Sequence, residues 1–235
     1  MSLIERFAGV FFSPQATFRK LSENRVWVDA LVVVLICVAV YGYLVAPFIN
    51  QDTLKAYREN IKFQERLGKE RYERMMKGLE NPTTAGILVR NVALPLVFFF
   101  IGLLVTGLII LIIGRTISTE GTFALVFTAV VHASFIDKVL GAAVRLILVF
   151  MRKSVVQTST SLALLAPNVE FTSPAYIILS QFDFFQLWMF GVLGYGLAAI
   201  FKVSLRKGML ISYGFWAVKS LVYIALGFLT RTLMG

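Results

Sequence analysis

The sequence predicts an all-α fold: a polytopic helical membrane protein with about five transmembrane helices and an N-terminal amphipathic interfacial helix. Two observations carry this expectation. Of 235 residues, 58% are hydrophobic and 15% charged, with a mean hydropathy of +0.79, whereas a soluble domain is nearer 45–50% apolar and about 25% charged. The apolar residues also come in runs of span length, and the chain holds roughly four to six spans of about 20 residues each. This balance argues against a soluble enzyme, a disordered tail and a secreted disulfide scaffold, and one domain accounts for the length.

The first element is residues 1–25. Ile4, Phe7 and Phe11 recur at helical spacing, with Glu5 and Arg6 beside them. Ser13-Pro14 then signals a second helix, serine at the N-cap and proline at the first position. Two placements fit: lying in the headgroup plane with the basic side in water, or packed on the bundle. The first long apolar run begins at Trp27 and has the length of a span rather than of a cleaved signal. That span covers 27–49, with Trp27 as an interfacial anchor and Pro47 close to its end.

Residues 50–90 differ in kind. Charges of both signs alternate, and Glu65–Lys69, Glu70–Arg74 and Glu73–Lys77 are carboxylate-first pairs four apart. Leu54, Tyr57, Ile61, Tyr72, Met75, Met76 and Leu79 form an apolar stripe broken by Gly68. This reads as an extramembrane helix or helical hairpin, closed by Asn81-Pro82. It is either a solvated face or a surface for a membrane-protein partner.

The second span covers 91–114, with Pro95 kinking its beginning. Residues 121–151 are too long and too polar for one simple helix. They are one tilted span with polar residues facing inward, or two half-helices meeting at Asp137-Lys138. Ser154–Pro174, with Thr158, Ser159, Thr160, Ser161, Pro167 and Asn168, is a loop holding at most one helical turn. The last spans are 180–201 and 209–229, joined by the basic turn Lys202–Lys207. Gly191, Gly194 and Gly196 allow close helix approach in the fourth.

The stretch Phe12-Ser13-Pro14-Gln15-Ala16-Thr17-Phe18-Arg19-Lys20-Leu21 resembles the start of the bacterial branch of the YIP-domain family, relatives of the eukaryotic Ypt/Rab-interacting proteins. Asp183-Phe184-Phe185-Gln186-Leu187-Trp188, Gly194, Gly196, the basic turn, Gly214 and Trp216 resemble that family's late spans. The resemblance implies five spans, a cytosolic N-terminus and a bacterial cytoplasmic (inner) membrane location. The Asp-Leu-Tyr-Gly-Pro signature of the eukaryotic members is absent, which puts a GTPase partner in doubt. The family carries over no catalytic residues.

The functional lead is the set of ionisable residues inside apolar runs: His132, Asp137, Lys138, Arg145, Asp183 and Lys219. A lone charge at the bilayer centre costs about 2.5–3.5 kcal/mol on insertion scales, so each needs a partner or water. Asp137 is the expected counter-ion of Lys219. Such a set lines a polar path, or forms a buried pair that sets helix register. His132 and Asp137 also have the His-x4-Asp spacing of some glycerolipid acyltransferases, a weak six-residue pattern. With Cys37 the one cysteine and His132 the one histidine, no metal site and no cofactor is expected.

The formal charge of +10 points to anionic lipid headgroups as partners, and no aromatic-interleaved basic patch points to nucleic acid. A cytosolic N-terminus would place eight basic residues on the inner side and twelve on the outer, so the charge rule leans the other way. Three functions follow. One is a non-enzymatic scaffold or accessory subunit binding other membrane proteins, another a small transporter or channel acting as a homo-oligomer. The third and most remote is a lipid acyltransferase.

Overall fold

A computed structural model describes residues 1–23, 25–156, 160–166, 169 and 173–234. The fold is all-α, and among the described residues the one β-type feature is an isolated antiparallel bridge between Ser161 and Asp183. Thr158, Ser159, Pro167 and Asn168, read above as loop, lie outside the described residues.

Helices α1 (Leu3–Phe12) and α2 (Pro14–Leu21) form a tight pair. Ser2 and Glu5 close a reciprocal capping box on α1, satisfying two donors that the first helical turn leaves orphaned. Gly9 lets the pair fold together, since a Cβ there would run into Thr17. Of the two placements, the second is observed: the pair packs into the bundle. Val10, Phe18 and Leu21 are buried in the main core, Phe7 touches Phe135, and Phe11 touches Trp188.

Helix α3 (Val28–Glu59) carries the first apolar run and passes through Pro47 without ending, which extends it ten residues beyond Ile49. Trp27 packs inward, edge-on to Phe127, at 5.2 Å between ring centroids. Helices α4 (Ile61–Leu67) and α5 (Lys69–Glu80) meet at Gly68, whose φ of +77° suits glycine. That break falls between Glu65 and Lys69, while Glu70 and Arg74 do pair, at 3.5 Å. The apolar stripe divides: Met76 and Leu79 are buried, whereas Ile61 is 67% exposed.

Helix α6 (Thr84–Leu88) runs through a π-helical turn at Val89–Ala93 into α7 (Leu94–Arg115). The cause is Pro95, which lacks an N–H for the Asn91 carbonyl one turn back. That carbonyl lies against Gly42 of α3, where any side chain would collide with it.

The third apolar region is helical without interruption through α8 (Phe123–Phe135), a π turn at Ile136–Gly141 and α9 (Ala142–Arg152). It is thus one long helix, with Asp137 and Lys138 inside the π turn, rather than two half-helices. A four-residue 3₁₀ turn (Leu162–Leu165) and α10 (Pro174–Leu179) follow. Helices α11 (Phe184–Ile200) and α12 (Leu205–Met234) then pack side by side. Gly208 makes that approach close, because a Cβ there would meet the Ala198 backbone nitrogen at 2.8 Å. Gly194 faces Met209, Gly191 faces the Tyr213 hydroxyl, and Gly196 faces Phe18 and Ala129.

Three helical stretches, Val28–Glu59, Thr84–Arg115 and Leu205–Arg231, are long and apolar enough to cross a membrane, with Phe184–Ile200 a shorter apolar one. Their outer faces are oily: Val32, Ile36, Val97, Phe98, Ile101, Leu108, Leu221 and Val222 are all exposed. Water would not tolerate so continuous an apolar belt; lipid does.

Side-chain contacts define two ends of the bundle. At one, the Ser118 hydroxyl donates to the Phe201 carbonyl (2.6 Å) and Lys202 pairs with Glu120 (3.1 Å), beside α2. At the other, Asp52 accepts from the Ser154 hydroxyl (3.0 Å) and the Val155 N–H (2.8 Å). There too Asn50 joins Leu79 to Arg90.

Candidate functional site

Of the ionisable residues within the apolar helices, His132, Asp137, Lys138 and Arg145 fall into two clusters, while Asp183 and Lys219 take partners of their own. In the first, His132 is fully buried on α8. Its Nδ1 donates to the Thr128 carbonyl at 2.8 Å, which leaves Nε2 to accept from Arg6 Nη1 at 3.3 Å. These partners assign the neutral tautomer and occupy both ring nitrogens. The Arg6 side chain is 4% exposed and forks onto the Asp29 carboxylate. It also donates to the Val26 and Ser2 carbonyls. One guanidinium therefore satisfies most of its donors while tying α1 to α3 and α8.

Arg6 and Asp29 were not among the residues singled out from the sequence, although a signal existed. Leu3, Arg6, Phe7 and Val10 share one face of α1, and an arginine on an apolar face requires a buried partner. Asp29 lies two residues after Trp27, at the start of the first apolar run.

In the second cluster Asp137 is 2% exposed and sits in the π turn. Arg145 pairs with its carboxylate and also donates to the main-chain carbonyls of Asp137 (2.9 Å) and Gly141 (3.1 Å). Lys138 Nζ reaches the other carboxylate oxygen at 2.7 Å. The two cations then stack outward, Arg145 over Phe185 of α11 (5.9 Å) and Lys138 over Phe99 of α7 (5.4 Å). Gly141 leaves the room for this, since a Cβ there would strike Phe185 and the Arg145 guanidinium.

The expected Asp137–Lys219 ion pair is not formed. Lys219 Nζ donates instead to Gln186 Oε1 at 2.5 Å and lies over the Phe190 and Tyr223 rings. Asp137 finds cations on its own helix, where less chain entropy is lost in bringing partners together. Asp183 is the N-cap of α11: its carboxylate accepts from the Gln186 N–H (3.0 Å) and the Thr160 hydroxyl (2.5 Å). It thereby orients the turn that carries Gln186, the partner of Lys219.

His132 and Asp137 hold different partners, so their spacing supplies no base–aspartate dyad in this arrangement. Among the described residues, no group of three or more His, Cys, Asp or Glu side chains is placed to hold a metal ion. Beside Lys219 on α12, two buried polar groups, Trp216 Nε1 and Ser220 Oγ, make no hydrogen bond with any of the described residues. What the arrangement does chemically is give each buried charge a partner inside an apolar bundle and fix how its helices register.

No curated protein and no solved structure matches the chain. A family model does: the Yip1 domain, over residues 8–227, from within α1 to the last turns of α12. The match takes in the Asp137 cluster and, of the other, Asp29 and His132, with Arg6 two residues before it; it covers two span-length helices whole and the third as far as residue 227, and on it this integral membrane protein belongs to the Yip1 domain family.

Proposed function

We propose that this protein is a non-enzymatic scaffold or accessory subunit in membrane organisation or transport, resident in the bacterial cytoplasmic membrane. The observation that supports this reading is that the ionisable side chains within the apolar helices close on internal partners. Arg6 meets Asp29 and His132, Asp137 meets Lys138 and Arg145, and Lys219 meets Gln186. Such closure positions helices and leaves recognition to the parts outside the apolar belt. Foremost is the α4–α5 hairpin, whose Ile61 stays exposed for a membrane-protein partner or a second copy.

In this proposal α3, α7, the α8–α9 helix, α11 and α12 make five crossings, with the α2 end of the bundle in the cytoplasm. The test is separate substitution of Asp137→Asn and Lys219→Met in protein reconstituted into vesicles. The scaffold reading expects Asp137→Asn to impair assembly. Normal assembly with loss of ion or solute flux in both variants would sink it.

A second reading is a small oligomeric transporter or channel. The observation favouring it is the unpartnered Trp216 Nε1 and Ser220 Oγ flanking Lys219, polar groups that a passing water or solute would satisfy. Flux through the wild-type protein that Ser220→Ala and Trp216→Phe abolish would move this reading first.

A further inference from the structure

At the α2 end of the bundle, a cleft of about 740 Å³ opens between α2, the link before α8 and the α11–α12 turn. Arg19 and Tyr195 form its wall towards a second cleft of about 820 Å³ over Pro14 and Lys20. At Leu205 it meets a third, of about 590 Å³, that runs down α12 past Arg206, Leu210, Tyr213 and Gly214. The mouth is polar and basic, while below Arg206 the groove is almost wholly apolar.

We propose that this continuous groove holds one anionic glycerophospholipid, its phosphate between Arg19 and Arg206 and one acyl chain along the first turns of α12. The charge is complementary. Among the described residues, none engages the exposed Arg19 and Arg206 guanidiniums by hydrogen bond or ion pair, unlike Lys202, which Glu120 holds at 3.1 Å. Among the described residues, Glu23 is the one acid at the mouth without a basic partner, against Arg19 and Arg206. Guanidinium recognises a phosphodiester through paired N–H donors, and it does so best where water is scarce.

The length is complementary too. Leu205 to Gly214 rises about 14 Å at 1.5 Å per residue, close to half of a hydrocarbon core about 30 Å thick, the reach of one acyl chain. Gly214 keeps the lower groove open, with nothing within 4 Å of where its Cβ would be, and Leu210 beside it is 65% exposed. A free phosphate would fill only the mouth; the apolar floor is matched by a lipid. This site stands independently of the scaffold reading, because its readout is lipid retention and not partner binding.

The test is native mass spectrometry of the full chain in detergent. It is titrated with phosphatidylglycerol, with phosphatidylcholine of the same acyl chains, and with glycerophosphoglycerol, the headgroup without chains. Phosphatidylglycerol is expected to bind at least about tenfold more tightly than phosphatidylcholine, each basic residue near the headgroup contributing about fivefold. Arg19→Gln/Arg206→Gln should remove that preference, and Lys69→Gln/Arg71→Gln at the opposite end should leave it intact. Gly214→Leu should weaken lipid but not glycerophosphoglycerol. Equal binding of both lipids, retention by the double arginine variant, or indifference to Gly214→Leu overturns the proposal. Glycerophosphoglycerol binding as tightly as lipid would overturn it in favour of a free-phosphate site. Should the double variant not remain monodisperse, Arg206→Gln alone and Gly214→Leu give the same decision.

Discussion

Arg6 Nη1 lies 3.3 Å from His132 Nε2, across 126 positions of sequence, while the same guanidinium pairs with Asp29. An N-terminal helix that an amphipathic pattern would lay on a membrane surface is thereby locked into the bundle. Arg6→Met should destabilise the protein by about 1–3 kcal/mol, the cost of leaving a buried polar group unpaired. Asp29, 43% exposed, recovers part of its loss from water. Arg6→Lys should rescue little, because an ammonium cannot fork onto a carboxylate. Thermal unfolding in detergent and protease cleavage within Leu3–Phe12 read the effect. Wild-type values in Arg6→Met would remove the lock.

The Asp137 cluster makes the opposite kind of prediction for single and paired changes. Asp137→Asn strands Arg145 and Lys138 beside an apolar turn and should cost about 3–5 kcal/mol, less whatever Lys138 recovers by reaching outward. Asp137→Leu combined with Arg145→Met should cost far less than the sum of the singles. A double-mutant cycle that comes out additive would show that the pair does not couple.

Two glycines separate close packing from open surface. Gly208→Ala pushes a Cβ against the α11 backbone at Ala198 and should cost about 1–3 kcal/mol. Gly102→Ala enters open space and should change stability by no more than about 1 kcal/mol, with helix propensity on its side. Chemical denaturation of both variants decides. Equal midpoints would mean that α11 and α12 do not approach as closely as Gly208 implies.

The two ends of the bundle predict a labelling pattern. With Cys37 replaced, single cysteines at Ser22, Thr119 and Ser204 should react from one side of the membrane, and those at Gly68 and Gly78 from the other. Under the five-crossing layout the first group is cytoplasmic. Labelling of Ser22 and Gly68 from the same side would discard that layout and require α3 to turn back within the bilayer.

Much of the fold was legible because its signals are local. Ser13-Pro14 marked the start of α2, Gly68 the α4–α5 break, and Pro95 the disturbed entry to α7, each through backbone geometry that a few neighbours set. The candidate site was half legible. That His132, Asp137 and Lys219 needed partners followed from the cost of burying polar groups in apolar surroundings. Which partners they took did not, since Asp137 chose between a cation on its own helix and one on α12. Arg6 read as the polar flank of α1, because the helix bearing it fitted the surface as well as the bundle.

The sequence by itself determined that this chain is helical and belongs in a membrane. Composition and run length follow from the solvent, and the solvent acts on each segment separately. Only the tertiary structure decided that α1 and α2 enter the bundle, that residues 123–152 form one helix through a π turn, and that Lys219 meets Gln186. Those outcomes depend on which distant helices come close enough to share a buried charge. Distance in space is a property of the whole packing, which no local pattern encodes.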